Sequence, residues 1–245
     1  MTIYDTIGVG YTLNRRPDPR WAAVIHRALG EAATVLNVGA GAGSYEPADR
    51  SVITLEPSRR MISQRPARSA PVVQGVAGAL PFPDGSFDVA LAVLTVHHWP
   101  DASAGLQEMQ RVASRQIVVT WEPELFAERF WLMQDYLPAE APGDLVARRR
   151  IADQLREVET IPLPVPHNCV DGVFGAYWRR PEAYLDAAVR ASISALALRE
   201  PEILESAMTR LEADLRSGAW ARKHADLLDL DELDLGYCVL VGGQR

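Results

Sequence analysis

Three glycines at alternate positions, Gly39, Gly41 and Gly43, follow the apolar run Val35-Leu36-Asn37-Val38. A second apolar run, Val52-Ile53-Thr54-Leu55, ends on an acid, Glu56. Alternate glycines after a strand let the backbone turn sharply and leave room for a ligand against main-chain N–H groups. A carboxylate ending the next strand can accept both hydroxyls of a ribose. Strand, glycine turn, strand and acid together read as one half of a doubly wound nucleotide-binding sheet. A plain Gly/Ala turn without a ligand is the competing reading of the triplet alone. Downstream, His97 and His98 follow the apolar run Phe87–Thr95. An imidazole near its ordinary pKa suits proton removal from a hydroxyl, phenol or amine. His98 is the first choice for a general base or acceptor-orienting group and His97 the second. The alternative is two loop residues satisfied by backbone hydrogen bonds.

The elements that must position these residues follow from periodicity. Trp21, Val24, Ile25, Ala28 and Leu29 fall at helical spacing before Gly30. Strands are expected at Thr34–Val38, Ser51–Glu56, 71–75, Phe87–Thr95 and Gln116–Trp121. A short helix is expected after the glycine turn, cut by Pro47, and another from Pro57-Ser58 to about Gln64. The run F-D-V-A-L-A-V-L-T suits a parallel strand buried on both faces. Asp101 caps a helix to about Ala113, with Leu106, Met109, Gln110 and Val112 facing the sheet. After Pro123 the pattern changes. Residues 125–156 read as helical, broken by Pro138 and Pro142. Val158–Pro166 reads as an edge strand because its prolines cannot donate to a ladder. Residues 181–225 read as helical, with stripes at Leu185, Val189, Ile193, Leu196 and at Leu204, Met208, Leu211, Leu215. Gly236–Val241 is the last strand. The reading is a single domain over 1–245, with a core at about 30–122, 157–166 and 235–243. A helical cap takes about 124–156 and 170–233.

Composition bounds the function. With 245 residues, 48% apolar and 23% charged, the chain fits one globular domain with a sizeable core. A net charge of −7 argues against a phosphate-backbone binder, so no nucleic-acid partner is expected. Lys223 is the sole lysine, which removes most Schiff-base and P-loop chemistry. Cys169 and Cys238 make no disulfide framework and have no metal-ligand spacing, so no metal is expected. No basic-then-apolar leader and no stretch of ~20 apolar residues is present, so a cytoplasmic protein without a membrane partner is expected.

The register of the turn narrows the ligand. Dinucleotide enzymes need G-x-G-x-x-G, whereas here it is G-x-G-x-G, with Ser44 where the third dinucleotide glycine would stand. The motifs V-L-N-V-G-A-G-A-G, L-E-P, L-P-F-P-D-G-S-F-D-V-A and L-T-V-H-H-W-P-D occur in that order. On these the chain resembles the class I S-adenosylmethionine-dependent methyltransferases, in the small-molecule group related to the ubiquinone/menaquinone methyltransferases (type 11). The resemblance covers about 10–122 well and the remainder loosely. It implies a Rossmann-like α/β fold, doubly wound, with a seven-stranded mostly parallel sheet and an antiparallel last strand. It implies S-adenosylmethionine as cofactor, S-adenosylhomocysteine as product and a small-molecule acceptor.

Carried over by position, Gly39, Ala40 and Gly41 line the methionine moiety and Glu56 holds the ribose. Pro57, Ser58, Val76 and Ala77 sit near the adenine, and Thr95 faces the donor methyl. Tyr11 and Arg15, in Y-x-x-x-R, match a clamp on the methionine carboxylate, which a guanidinium pairs well. Arg16 competes for that role. Two positions depart from the family. Asn37 replaces an acid near the cofactor's amino group, and Val76 stands where an acid often meets the adenine amino group. On the acceptor side, Trp99 and Trp121 end strands at the same edge, as pocket walls or as core. D-G-V-F-G-A-Y-W-R-R, with Tyr177 and Trp178, reads as a lid hinge and aromatic patch for an apolar substrate or as cap packing. The implied activity is methyl transfer to a small organic molecule. The alternatives are a cofactor-bound, non-methylating cyclase or binding protein on the same fold, and a nicotinamide-dependent oxidoreductase.

Overall fold

A computed structural model of the chain describes residues 5, 11–137 and 148–243; the side chains of Tyr11 and Leu13, like Pro138 and Pro142, lie outside the described residues. Nine strands are described: β1 (Thr34–Val38), β2 (Ser51–Glu56), β3 (Val72–Gln74), β4 (Phe87–Val93), β5 (Ala113–Trp121), β6 (Glu159–Pro162), β7 (Val165–Pro166), β8 (Glu232–Leu233) and β9 (Tyr237–Gly243). Seven form one sheet in the order β3-β2-β1-β4-β5-β9-β6. The first five are parallel, and β9 runs antiparallel between β5 and β6. The expected mostly parallel sheet with an antiparallel last strand is therefore present. Strand order reverses between β1 and β4, and ligands in open α/β sheets bind beyond the carboxyl ends at that point.

Alternation along the strands divides the core. On β1, Val35 joins Trp21, Ile25, Trp131 and Trp178 on one side of the sheet. Leu36 and Val38 join Leu55, Leu106 and Met109 on the other. Ala90, Leu91 and Ala92 of β4 are wholly buried, as a central parallel strand requires. Helix Pro19–Ala28 is started by Asp18, whose side chain accepts from the Arg20 N–H, with Pro19 in its first turn. Asp101 caps helix Ala102–Val112 in the same way through the Ala104 N–H. There Leu106, Met109 and Val112 are buried, while Gln110 is half-buried and donates to the Gln154 carbonyl.

Several expectations are corrected. No helix follows the glycine turn: Gly41, Gly43 and Tyr45 have φ of +55°, +94° and +63°, and such left-handed residues cannot continue an α-helix. β4 stops at Val93 because Leu94 turns to φ +50°. The helical stretch 181–225 is several short pieces around one long helix, Pro201–Ser217. Asp186 caps a fresh start by accepting from Ala188 N–H, Pro201 opens the long helix, and Gly218 at φ +71° ends it. The proline-punctuated segment divides: β6 takes the sheet edge, and β7 pairs with β8 outside that sheet. In 125–156 the described structure is helix Pro123–Arg129, a π-helical turn Leu132–Tyr136 and helix Arg148–Ala152. Among the described residues, no helix is long and apolar enough to cross a membrane.

Candidate functional site

The carboxyl ends of β1, β2 and β4 open on a cavity of about 490 Å³. Its wall contains Arg15, Asn37, Gly39, Ala40, Gly41, Glu56, Pro57, Val76, Ala77, Thr95, His97, His98 and Trp99. Most of the residues singled out from sequence thus meet at one place. Sequence reasoning missed Tyr45, Met61, Leu94 and Pro100, which also line it. Met61 is an ordinary apolar residue of helix Arg59–Ser63, and its only signal was the short helix after Glu56. A broader groove of about 840 Å³ between Leu185 and Glu212 in the cap shares no residue with this cavity.

The glycine turn is pinned to β2 by hydrogen bonds from the Gly39 and Ala40 N–H groups to the Leu55 carbonyl, at 2.8 and 3.1 Å. Gly39 has φ +71°, and a β-carbon on it would lie 2.2 Å from Thr95 Oγ1. Only glycine lets the turn approach the end of β4 this closely. Glu56 is 5% exposed. Its Oε2 accepts from the Gly41 N–H at 2.8 Å and its Oε1 from the Ser58 N–H at 2.9 Å. Burial raises the carboxyl pKa, opposed by those two N–H groups. Each oxygen retains a lone pair, which suits a pair of hydroxyl donors. Asn37 is 1% exposed, and neither its Nδ2 nor its Oδ1 meets a hydrogen-bond partner among the described residues. A buried amide left so costs free energy unless a ligand completes it.

On the far wall, Leu94 at φ +50° throws the chain into a short 3₁₀ turn, Val96–His98, directly beyond β4. The first-choice His98 and the second-choice His97 both line the cavity, with ring centroids 3.8 Å apart. In the 3₁₀ turn neighbouring side chains diverge by about 120° rather than to opposite faces as on a strand, so both rings can border one cavity. Burial, with added repulsion from His98 and Arg15, pushes His97 well below the usual imidazole value. Burial and then Arg15 push His98 down to about 4. Both rings are neutral near pH 7 and can donate and accept hydrogen bonds.

The remaining aromatic assignments divide. Trp99 lines the cavity, lies over Gly105 and donates from Nε1 to Thr95 Oγ1 at 3.3 Å. Trp121 does not line it. It packs edge-on behind His97 at 4.5 Å and near Tyr237 at 6.2 Å, so it supports the histidine from the core. Trp178 is fully buried, donating from Nε1 to the Val165 carbonyl and accepting at its own carbonyl from Trp131 Nε1. It belongs to the core on one face of the sheet, with Val35, Val89 and Ile117, its N–H satisfied away from the cavity. Tyr177 packs edge-on to Tyr184 at 5.5 Å beneath Arg180 and is likewise off the cavity wall. Val76 is 53% exposed at the cavity rim. Arg15, rather than the exposed Arg16, reaches the cavity. Tyr11 belongs by its backbone to the helical turn Tyr11–Asn14.

Residues 36–116 match the family model described as "Methyltransferase domain". A putative methyltransferase from an antibiotic biosynthesis pathway of Anabaena variabilis is 30% identical, with a TM-score of 0.81, over 94% of this chain and 99% of its own. The chain belongs to the class I S-adenosylmethionine-dependent methyltransferases. The uncharacterized methyltransferase YcgJ of Bacillus subtilis is 27% identical over 117 residues, 43% of this chain and 42% of YcgJ. The chain spans less than half the length of the curated relatives it matches. The [4+2]-cyclase SpnF has the same fold, with a TM-score of 0.51 at 14% identity over 92% of this chain and 81% of its own. The cofactor of this methyltransferase family is S-adenosylmethionine, which leaves the nicotinamide alternative without support.

The cavity residues fit that cofactor. A fixed carboxylate with open lone pairs suits a ribose diol, the orphaned amide of Asn37 suits an amino-acid head group, and Arg15 suits a carboxylate. Met61, Val76 and Ala77 offer apolar surface to a base.

Proposed function

We propose that this protein transfers a methyl group from S-adenosylmethionine to a small organic acceptor. The observation that carries the reading is one cavity holding the Gly39–Gly41 turn, the doubly bound Glu56 and the unpartnered Asn37 amide on one wall, and His97 and His98 on the other. In this reading Glu56 holds the ribose, while Gly39, Ala40, Gly41, Asn37, Tyr11 and Arg15 hold the amino-acid end. Pro57, Val76 and Ala77 border the adenine, and Thr95 borders the reacting end. The cofactor, when bound, supplies an electrophilic methyl on sulfonium, so the protein's main contribution is alignment of the acceptor. The two imidazoles, neutral and close together, orient an acceptor hydroxyl, phenol or amine and take up its proton through hydrogen bonds. A base pushed to about 4 is a weak one, so His98 orients more than it deprotonates. The helical segments at about 124–156 and 170–233 cap the site in the same reading.

A second reading keeps the cofactor and drops the transfer. The low basicity of both histidines and the shared fold with SpnF favour it. Titration calorimetry with S-adenosylhomocysteine tests the cofactor, and no heat at millimolar ligand would refute both readings. Incubation with methyl-labelled cofactor across phenolic, hydroxylated and amine acceptors separates them. Label transfer that slows in His98→Ala, with cofactor affinity unchanged, supports methylation; no transfer to any acceptor despite tight binding favours the second reading.

A further inference from the structure

Arg15 reaches the cavity wall from an N-terminal segment, and its placement depends on a residue 156 positions away. Its Nε donates to Asp171 Oδ1 at 2.6 Å, with side-chain exposures of 13% and 1%. The other oxygen of Asp171 accepts from the Tyr45 hydroxyl at 2.8 Å. Tyr45, 2% exposed, ends the glycine turn at φ +63°, and its oxygen also accepts from the Asp18 N–H at 3.2 Å. Beside this, the Gly172 N–H donates to the Asn14 carbonyl at 2.8 Å, and a β-carbon on Gly172 would lie 2.7 Å from that oxygen. The dipeptide Asp171-Gly172 is therefore a docking point for residues 14–15.

We propose that Asp171 is a positioning residue of the cofactor site: it holds the Arg15 guanidinium at the cavity as the receptor for the cofactor's amino-acid carboxylate, and Tyr45 fixes Asp171 in turn. This inference rests on the reading of the cavity as the S-adenosylmethionine site. Burying an ion pair merely to fasten two segments gains little over apolar packing. Burying one whose cation borders a cavity presents a charge there. Pairing through Nε fixes the plane of the guanidinium fork and removes rotamer freedom that an unheld arginine would lose on binding. Tyr45 lines the same cavity, so the turn that shapes the cofactor wall also sets the depth of the carboxylate–guanidinium pair.

Calorimetric titration of Asp171→Asn with two ligands tests this. S-Adenosylhomocysteine carries the amino-acid carboxylate, and 5′-methylthioadenosine lacks it. The expected result is a Kd for S-adenosylhomocysteine raised about tenfold or more, with 5′-methylthioadenosine changed by less than about twofold. Tyr45→Phe, which keeps the ring and removes one hydrogen bond to Asp171, should show a smaller loss confined to the same ligand; it carries the test alone if Asp171→Asn does not fold. Equal weakening of both ligands, or no weakening of either, overturns the proposal. A wild-type protein that binds neither ligand overturns the cofactor-site reading, and this inference with it.

Discussion

The two walls of the cavity are made in different ways. One wall is built from backbone: a glycine turn tied to Leu55, and a carboxylate held by the Gly41 and Ser58 N–H groups. Its parts lie between Asn37 and Ser58. The opposite side, from His97 back through Trp121, Tyr237, Phe126 and Phe130 to Trp131 and Trp178, is built from aromatic side chains gathered from distant segments. A wall of backbone N–H groups and short strands can recognise one fixed ligand with little sequence. An aromatic support fixes a shape instead.

This contrast predicts separable losses. Trp178→Ala removes a fully buried indole and should cost about 3–5 kcal/mol of stability while leaving cofactor affinity in the folded fraction unchanged. Urea unfolding and titration together measure both, and a parallel loss of affinity would break the division between the walls.

The pH dependence of stability should report the histidine wall. The folded pKa of His98 is depressed from 6.5 to about 4, so the unfolded chain binds the extra proton first as pH falls. Stability should therefore be full above about pH 6.5 and decline toward the folded pKa of about 4, with roughly 3 kcal/mol of that decline from His98. His98→Asn should flatten that part of the profile. Glu56 acts with the opposite sign, since its raised pKa means that its ionised form opposes folding. In cofactor binding the sign changes again: affinity should fall as Glu56 protonates, because the hydroxyls need an acceptor.

Glu56→Gln should weaken S-adenosylhomocysteine binding about 10- to 100-fold, the range for hydrogen bonds to a charged group, with little change in unfolding midpoint. An unchanged Kd would remove Glu56 from the ribose site. The smallest effect sharpens the contrast most. Asn37→Val replaces an amide that has no hydrogen-bond partner among the described residues, and should stabilise the ligand-free form by about 1 kcal/mol while weakening cofactor binding. Destabilisation of the ligand-free protein would mean that the amide is satisfied without a ligand.

The same division explains what could be read in advance. The strands β1, β2, β4 and β9, the Asp101 cap and the wall formed by the glycine turn and Glu56 were legible because each is signalled by neighbours within a few residues. A near-continuous apolar run, a capping carboxylate and a glycine with positive φ can be read within a few residues. The absent helix after the glycine turn was harder to foresee, since Tyr45 at φ +63° is held by contacts to Asp18 and Asp171 from elsewhere in the chain. From sequence Trp121 and Trp178 fit a pocket wall or core packing equally well; in the structure Trp121 packs edge-on against His97 and Trp178 is buried with its N–H on the Val165 carbonyl. Only the packing of the cap over the sheet determines which face of an indole is dry.

By itself, then, the amino-acid sequence determined a doubly wound sheet and the place of its ligand crevice, through short motifs whose chemistry is carried by backbone geometry, while the class of cofactor followed from the family those motifs resemble. The tertiary structure decided that His97 and His98 both border the cavity as neutral rings, that Arg15 rather than Arg16 reaches the cavity, and that Asp171 stands behind it. Those outcomes depend on burial and on contacts across more than a hundred residues, where the free energy of a charge or an imidazole is set by what surrounds it rather than by what adjoins it in the chain.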